Sequence, residues 1–116
     1  MATIEKVVEQ SLLYDFYGEL LNKHQRDIYE AALFDDLSLS EIAQEAGISR
    51  QGVHDLIKRC DRLLQQYESK LHLVQRFSLA KEQIEEICTL TNNDVADTNV
   101  RMLEIEKIAK KLLEEL

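Results

Sequence analysis

Apolar residues recur every three or four positions along most of this chain, which is the spacing of one face of an α-helix. Over residues 4–21 the positions that share this spacing are Ile4, Val7, Val8, Ser11, Leu12, Asp15, Phe16, Glu19 and Leu20. Tyr14 and Tyr17 lie on the flank of this stripe. The pattern predicts a first amphipathic helix whose stripe faces a core.

A second helix is predicted over residues 23–34. Asn22 precedes it, and asparagine is a preferred N-cap because its side chain accepts a hydrogen bond from a backbone N–H of the first turn. Asp35 and Asp36 end it. The residues expected to face inward are Ile28, Ala31, Ala32 and Leu33.

Capping signals also bound a short third helix and begin a long fourth one. Ser38 followed by Glu41 is a capping box, and Gly47 is a predicted C-cap. Ser49 is then the predicted N-cap of the fourth helix. Its apolar stripe comprises Val53, Leu56, Ile57, Cys60, Leu63, Leu64, Tyr67, Leu71 and Val74.

Two more helices are predicted beyond Phe77, on either side of the polar run over residues 91–94. Their apolar positions are Ile84, Ile87, Cys88, Leu103, Ile105, Ile108, Leu112 and Leu116. The chain has no proline and three glycines, so the turn residues that a many-stranded sheet needs are missing. The predicted fold class is all-α.

The join between the third and fourth helices has the features of a helix-turn-helix. Such a motif needs a small residue where two short helices approach and glycine where φ is positive, and Ala43 and Gly47 supply them. The apolar residues expected in the shared core are Ile42, Ala46, Ile48, Val53 and Leu56. We expect one helical domain over 1–116, with the helix-turn-helix within 38–64 and a C-terminal helical extension over 78–116.

Residues 49–62 are the predicted recognition helix, whose first turns would enter a major groove of DNA. Arg50, His54 and Lys58 lie one turn apart on a solvent-facing line. Arginine and glutamine can read guanine and adenine edges with two hydrogen bonds. The predicted nucleic-acid-binding residues are Ser49, Arg50, Gln51, His54, Lys58, Arg59 and Arg62. The alternative is a solvated charged face opposite a core stripe.

Charge argues against strong autonomous binding to nucleic acid. The 116 residues include 14 basic and 22 acidic side chains, a formal net charge of −8 that repels phosphate. Residues 1–39 hold three basic and eight acidic groups, whereas residues 40–70 hold five of each. Only the predicted recognition helix has an excess of basic residues.

Other functional classes have little support. Cys60 and Cys88 lie 28 positions apart without a nearby cysteine or histidine, so we expect two buried thiols and neither a zinc site nor a redox pair. His24, His54 and His72 are on separate segments, and no phosphate loop or nucleophile motif occurs. We therefore expect no catalytic activity, metal or cofactor.

The longest uninterrupted apolar run covers only residues 31–34. A membrane-spanning helix needs about 20 apolar residues, and a signal-peptide core is also longer than this run. We therefore expect no membrane insertion and a cytoplasmic location.

Three stretches within residues 13–77 form a recognisable pattern: YDFYGELLNKHQ, DDLSLSEIAQEAGISRQGVHDLIKRC and QQYESKL. Together they resemble the YlxM family of helix-turn-helix proteins. Gly52 stands where the family has alanine and His54 where it has tyrosine. The resemblance implies an all-helical cytoplasmic bacterial protein, related in its helix-turn-helix to the promoter-recognition region of sigma factors. It also implies a link to the signal recognition particle, since family members are encoded beside its GTPases.

Surplus apolar surface predicts a homodimer. The stripe over residues 53–74 would be roughly 33 Å long at 1.5 Å per residue, longer than the two preceding short helices can cover. A second row that needs a partner comprises Ile105, Ile108, Leu112 and Leu116. A two-fold dimer, the commonest closed symmetry, would bury both.

Three functional hypotheses follow from the sequence. The first is a regulator that binds DNA. The second is an adaptor that contacts the RNA or the GTPase of the signal recognition particle without sequence-specific DNA binding. The third is a structural helical module.

Overall fold

The computed structural model describes residues 3–92 and 98–115, and there it contains six α-helices and no strand. The helices are α1 (Ile4–Tyr17), α2 (Lys23–Leu33), α3 (Leu39–Ala46), α4 (Arg50–Leu71), α5 (Leu73–Asn92) and α6 (Thr98–Glu115). The chain divides into two compact units, Met1–His72 with α1 to α4 and Leu73–Leu116 with α5 and α6. The predicted all-α class is confirmed for the described residues.

The face that α1 buries is not the predicted one. Leu13, Tyr17 and Leu21 are buried, whereas every residue of the predicted stripe is exposed or half-buried. Ile4 is 85% exposed and Val8 53%. Tyr17, expected on the flank, is among the most buried side chains of the first unit because its ring packs between helices and its hydroxyl reaches a carboxylate.

The first helix also ends earlier than predicted. The α-helix ends at Tyr17, and a single 3-10 turn follows over Gly18–Leu20. A Cβ atom at Gly18 would lie only 2.8 Å from the ring of Tyr14, so this close approach requires glycine. The Tyr14 ring in turn stacks on Tyr29 with centroids 5.6 Å apart.

The predicted caps of α2 and α3 are confirmed. Asn22 accepts a hydrogen bond from the backbone N–H of Gln25, whose side chain accepts one from the backbone N–H of Asn22. Ser38 and Glu41 form the same reciprocal box at the start of α3. Each capping box satisfies two backbone N–H groups that a helix N-terminus otherwise leaves without partners.

A core shared by α2, α3 and α4 holds the helix-turn-helix together. Its buried members are Ile28, Ile42, Ala43 and Val53. Ile48, Leu56 and Ile57 pack against them and are half-buried. Ala46 is also a predicted member of this core, but it is exposed in the last turn of α3.

The second half of α4 packs against α1 through buried apolar groups and several polar pairs. Cys60 and Leu64 are fully buried on this side. Asp61 Oδ1 accepts a 2.6 Å hydrogen bond from the Tyr29 hydroxyl and a 3.0 Å bond from the Gln10 side-chain amide. Burial and the neighbouring Asp61 carboxylate raise the pKa of Tyr29 above its ordinary value.

The apolar stripe predicted over residues 53–74 belongs to two helices. α4 ends at Leu71, and His72 follows with a left-handed φ of 56° that turns the chain before Leu73 begins α5. α5 therefore starts five residues before the predicted extension over 78–116. Leu71 is 48% exposed, so the buried part of the stripe ends earlier in α4.

α5 and α6 form an antiparallel pair. The Arg101 guanidinium donates a 3.3 Å hydrogen bond to the carbonyl oxygen of Leu90. Ile105, Ile108 and Leu112 are half-buried on the side of α6 that faces α5. The last residue of their predicted row, Leu116, lies outside the described residues, as do positions 93 and 94 of the polar run.

The two cysteine thiols differ in their exposure to solvent. Cys60 is buried as predicted, but Cys88 is exposed, because α5 has only one neighbouring helix in its unit. In the described parts of the chain no helix is long and apolar enough to cross a membrane.

Candidate nucleic-acid interface

The turn between α3 and α4 sets the direction of the predicted recognition helix. Gly47 has a left-handed φ of 70°, and its N–H bonds to the carbonyl oxygen of Ala43. Ser49 caps α4 by accepting a 2.9 Å hydrogen bond from the Gly52 N–H. A Cβ atom at Gly52 would lie 3.1 Å from Ser49 Oγ, so glycine leaves room for this cap. The predicted turn and both caps are confirmed.

All seven residues predicted to bind nucleic acid are exposed and lie on α4 or at its N-cap. They are Ser49, Arg50, Gln51, His54, Lys58, Arg59 and Arg62. Arg50, Gln51 and His54 are all exposed on the first two turns of α4, where Val53 is the buried residue. Whether this surface binds nucleic acid remains a prediction.

A carboxylate lies among these side chains. Asp55 Oδ1 accepts a 2.9 Å hydrogen bond from the Gln51 side-chain amide, and it lies 3.5 Å from His54 Nδ1. The side chain of Asp55 is 68% exposed, so its charge is well solvated. The first two turns of α4 therefore combine base-reading residue types with one negative charge.

The basic side chains further along α4 fall on two flanks. Lys58 and Arg62 line a shallow groove beside α1. Arg59 lies about 100° around the helix from Lys58 and about 60° from Arg62, and it does not line this groove. The phosphate-binding candidates therefore face two directions.

Lys6 is a functional candidate that the sequence pattern did not single out. It lies on α1 and lines the groove with Lys58 and Arg62. The two acidic residues of that groove are hydrogen-bonded to side-chain amides. Glu9 accepts a 2.9 Å hydrogen bond from Gln65, and Asp61 accepts one from Gln10. Three basic side chains thus line one groove between α1 and α4, although Lys6 lies 52 positions before Lys58 in the chain.

Metal chemistry has no evident location in the described residues, where no group of three histidine, cysteine, aspartate or glutamate side chains lies close enough to hold an ion.

Comparison with known proteins extends over nearly the whole chain. The profile of the family described as "Putative helix-turn-helix protein, YlxM / p13 like" matches residues 4–111. A protein of Acetivibrio thermocellus named UPF0122 protein is 41% identical over 114 residues, 97% of each chain. A UPF0122 protein of Clostridium botulinum is 51% identical over 80 residues, 69% of this chain and 72% of its own. One of Bacillus thuringiensis is 37% identical over 109 residues, 94% of this chain and 98% of its own. The similarity therefore continues past Phe77 into α5 and α6, beyond the stretch that the sequence motifs identified.

Proposed function

Because this chain belongs to the YlxM / p13-like family of helix-turn-helix proteins, we propose that it is a cytoplasmic regulatory protein that binds duplex DNA through the first turns of α4. One observation carries the proposal. The first turns of α4 present Arg50, Gln51 and His54 to solvent from a helix anchored by the buried Val53. A rigid helix with such an exposed N-terminal face can enter a major groove.

Two sets of contacts are proposed. Arg50 and Gln51 would meet base edges, since their side chains can form paired hydrogen bonds to guanine and adenine. Lys58, Arg59 and Arg62 would meet phosphates, and Ser49 could add its hydroxyl at the helix N-terminus. Lys6 would join the phosphate contacts from the α1 side of the groove.

The net charge of −8 limits how tightly such a surface could hold DNA. α4 itself has five basic and three acidic side chains, so the attraction is local and the rest of the molecule opposes it. We therefore expect binding that is weak on arbitrary duplexes and strongly dependent on salt.

The second candidate function is an adaptor of the signal recognition particle that contacts its RNA or its GTPase. The acidic balance and the Asp55 carboxylate among the exposed residues of α4 favour the contact with the GTPase, since they would repel the phosphates of RNA as they repel those of DNA. The link to the particle itself rests on the family resemblance.

A binding survey across salt concentrations tests the proposal on a mixed-sequence duplex and on signal recognition particle RNA. Lys58→Ala should weaken duplex binding and lower the log–log salt slope by about 0.9 if one phosphate contact is lost. Lys70→Ala is the matched control, because it makes the same charge change in the last turn of α4. Arg50→Ala should also weaken binding and reduce the preference between duplex sequences.

Equal effects of Lys58→Ala and Lys70→Ala would contradict a recognition surface at the start of α4 and indicate only general charge attraction. Binding to the particle RNA without binding to duplex would favour the adaptor. No binding to either nucleic acid would contradict the DNA-binding proposal and leave a protein partner or a structural role.

A further inference from the structure

The α5–α6 hairpin lacks a core of its own. None of its described residues is buried, whereas the first unit buries ten apolar side chains. A pair of helices without buried side chains gains little free energy from packing, because stability in water comes mainly from burial of apolar area. The hairpin therefore needs a further surface to pack against.

One face of the hairpin is charged. Glu82 and Glu86 on α5 and Glu104, Lys107 and Lys111 on α6 line a common groove. All five side chains are exposed. Water can solvate this face, so it requires no partner.

The opposite face is apolar. Ile84 is 51% exposed on α5, and Met102 and Leu113 are 64% and 72% exposed on α6. Each lies about a quarter turn from the side of its helix that faces the other, and the antiparallel arrangement places these positions on the same side of the hairpin. Cys88 and Ala109 are exposed on this side as well. We call this surface the apolar face.

The register of the hairpin relates the two helices to each other. Gln83 lies level with Ile108, since both line one groove, and Leu90 lies level with Arg101, to which it is hydrogen-bonded. A two-fold axis that crosses both helices at the level of Gln83 and Ile108 would lay α5 antiparallel on α5 of a second copy. The same axis would lay α6 antiparallel on α6.

We propose that a second copy of this chain packs on the apolar face in this way, so that two hairpins form a four-helix bundle. Met102 of one copy would then lie against Leu113 of the other, and the small Ala109 would lie near the axis, where two helices can approach closely. The contact between Met102 and Leu113 occurs twice by symmetry, as an isologous interface requires.

The charges at the edges of the apolar face suit this arrangement. Lys81 and Glu85 lie four residues apart on α5, and Glu106 and Lys110, also four residues apart, form a 3.0 Å ion pair within α6 that would exchange partners in the dimer. The two-fold axis passes midway between the members of each pair. It would therefore bring Lys81 of one copy to Glu85 of the other, and Glu106 to Lys110.

The net charge of the hairpin's helices opposes a second copy only weakly. α5 and α6 together have six basic and seven acidic side chains, although the whole chain has a net charge of −8. Two hairpins thus meet with little electrostatic repulsion. Repulsion from the rest of the chain is screened beyond about 8 Å at physiological ionic strength.

The area of the apolar face is sufficient for a specific interface. A helix of 18 residues is roughly 27 Å long and about 10 Å across, so a face of two helices covers roughly 550 Å² in each copy. The interface total would be on the order of 1,100 Å², just above the roughly 1,000 Å² that a specific interface needs.

Light scattering coupled to gel filtration tests the proposal on the full chain. At micromolar concentration the molar mass measured for the parent protein should be twice the 13.5 kDa of one chain. Met102→Glu should weaken the dimer by more than about a hundredfold, because it would bury a carboxylate in each copy. Val100→Glu is the matched control, since Val100 is 54% exposed and lies seven residues before Lys107, on the charged face of the hairpin. It should remain dimeric.

A charge exchange on the surface provides a test that does not threaten folding. Lys81→Glu should weaken the dimer severalfold, because it places carboxylates opposite each other across the two-fold axis. Adding Glu85→Lys to that variant should restore the parent affinity. A monomeric parent would overturn the proposal, and so would a dimer that persists in Met102→Glu or a double variant that is no tighter than Lys81→Glu.

Discussion

The side-chain amide of Gln51 donates a 2.9 Å hydrogen bond to Asp55 Oδ1, one turn further along α4. The same oxygen lies 3.5 Å from Nδ1 of His54. Gln51, which is proposed to read bases, and the neighbouring His54 thus lie beside a carboxylate, which also places a negative charge where phosphates would approach. When a duplex binds, the Asp55 side chain must either move away from the phosphates or accept a hydrogen bond from a base.

Neutralising Asp55 should strengthen duplex binding. Asp55→Asn keeps an acceptor for the Gln51 amide but removes the charge, and we expect about a two- to tenfold gain in affinity at low salt that fades as salt rises. Asp27→Asn on α2 removes a similarly exposed carboxylate, which is ion-paired with Lys23, and serves as the control. Fluorescence anisotropy with a labelled duplex would measure both. An equal gain in the control would mean that only net charge matters.

Gly47 should tolerate only residues that accept a left-handed backbone. No atom lies within 4 Å of a Cβ built at Gly47, so a substitution there costs conformational strain alone. Gly47→Val should lower the free energy of unfolding by about 1–3 kcal/mol, because a β-branched residue disfavours its φ of 70°. Gly47→Asn should cost less, since asparagine adopts this region more readily. Thermal melting that ranks the two variants equally would contradict this account of the turn.

The hydrogen bond from Tyr29 to Asp61 should stabilise the packing of α2 and α1 on α4. Tyr29→Phe leaves the ring in place but removes the 2.6 Å bond to a charged acceptor, and we expect a loss of about 1–3 kcal/mol in urea unfolding. Tyr14→Phe is the control, because the Tyr14 hydroxyl bonds to Glu30 at an exposed position. A smaller loss at Tyr29 than at Tyr14 would contradict the role assigned to Asp61.

Stability should decrease at alkaline pH. Burial raises the pKa of Cys60 from 9.0 to about 11 and that of Tyr14 from 10.0 to about 12. The folded state therefore keeps protons that the unfolded state releases, so the stabilisation is complete below pH 9 and is lost as pH rises through about 11 and 12.

Urea unfolding at a series of pH values would measure this decrease. Between pH 9 and 11 the free energy of unfolding should fall by up to about 1.4 kcal/mol per pH unit through Cys60, and by less through the more solvent-exposed Tyr14 above pH 10. Cys60→Ala should be less stable at neutral pH but show a shallower decrease between pH 9 and 11. An unchanged slope in that variant would show that the Cys60 thiol does not contribute.

Helix boundaries with local chemical signals could be predicted from the sequence. The boxes at Asn22 and Ser38, the left-handed Gly47 and the Ser49 cap each involve residues no more than four or five positions apart. Their physical causes are contained in a short stretch of chain, so they do not depend on what packs against it. The exposure of the first turns of α4 followed in the same way from one apolar stripe.

The face of α1 could not be predicted, because apolar residues occur on two sides of that helix. Leu13 and Tyr17 are buried, while Ile4 and Val8 are exposed. The choice depends on partners far away in the chain, such as Glu68, which accepts a 2.5 Å hydrogen bond from the Tyr17 hydroxyl across 51 positions. Periodicity measures how apolar a face is but not which neighbour it meets.

The candidate interface combines both kinds of information. The sequence by itself determined which basic and amide side chains follow the turn after Gly47, since helical spacing and the caps place them on one exposed surface. Only the tertiary structure decided that Lys6 joins Lys58 and that Asp61 is held by Tyr29. These relationships arise where α1 and α2 pack on α4, and the free energy of that packing depends on contacts between segments that no local pattern relates.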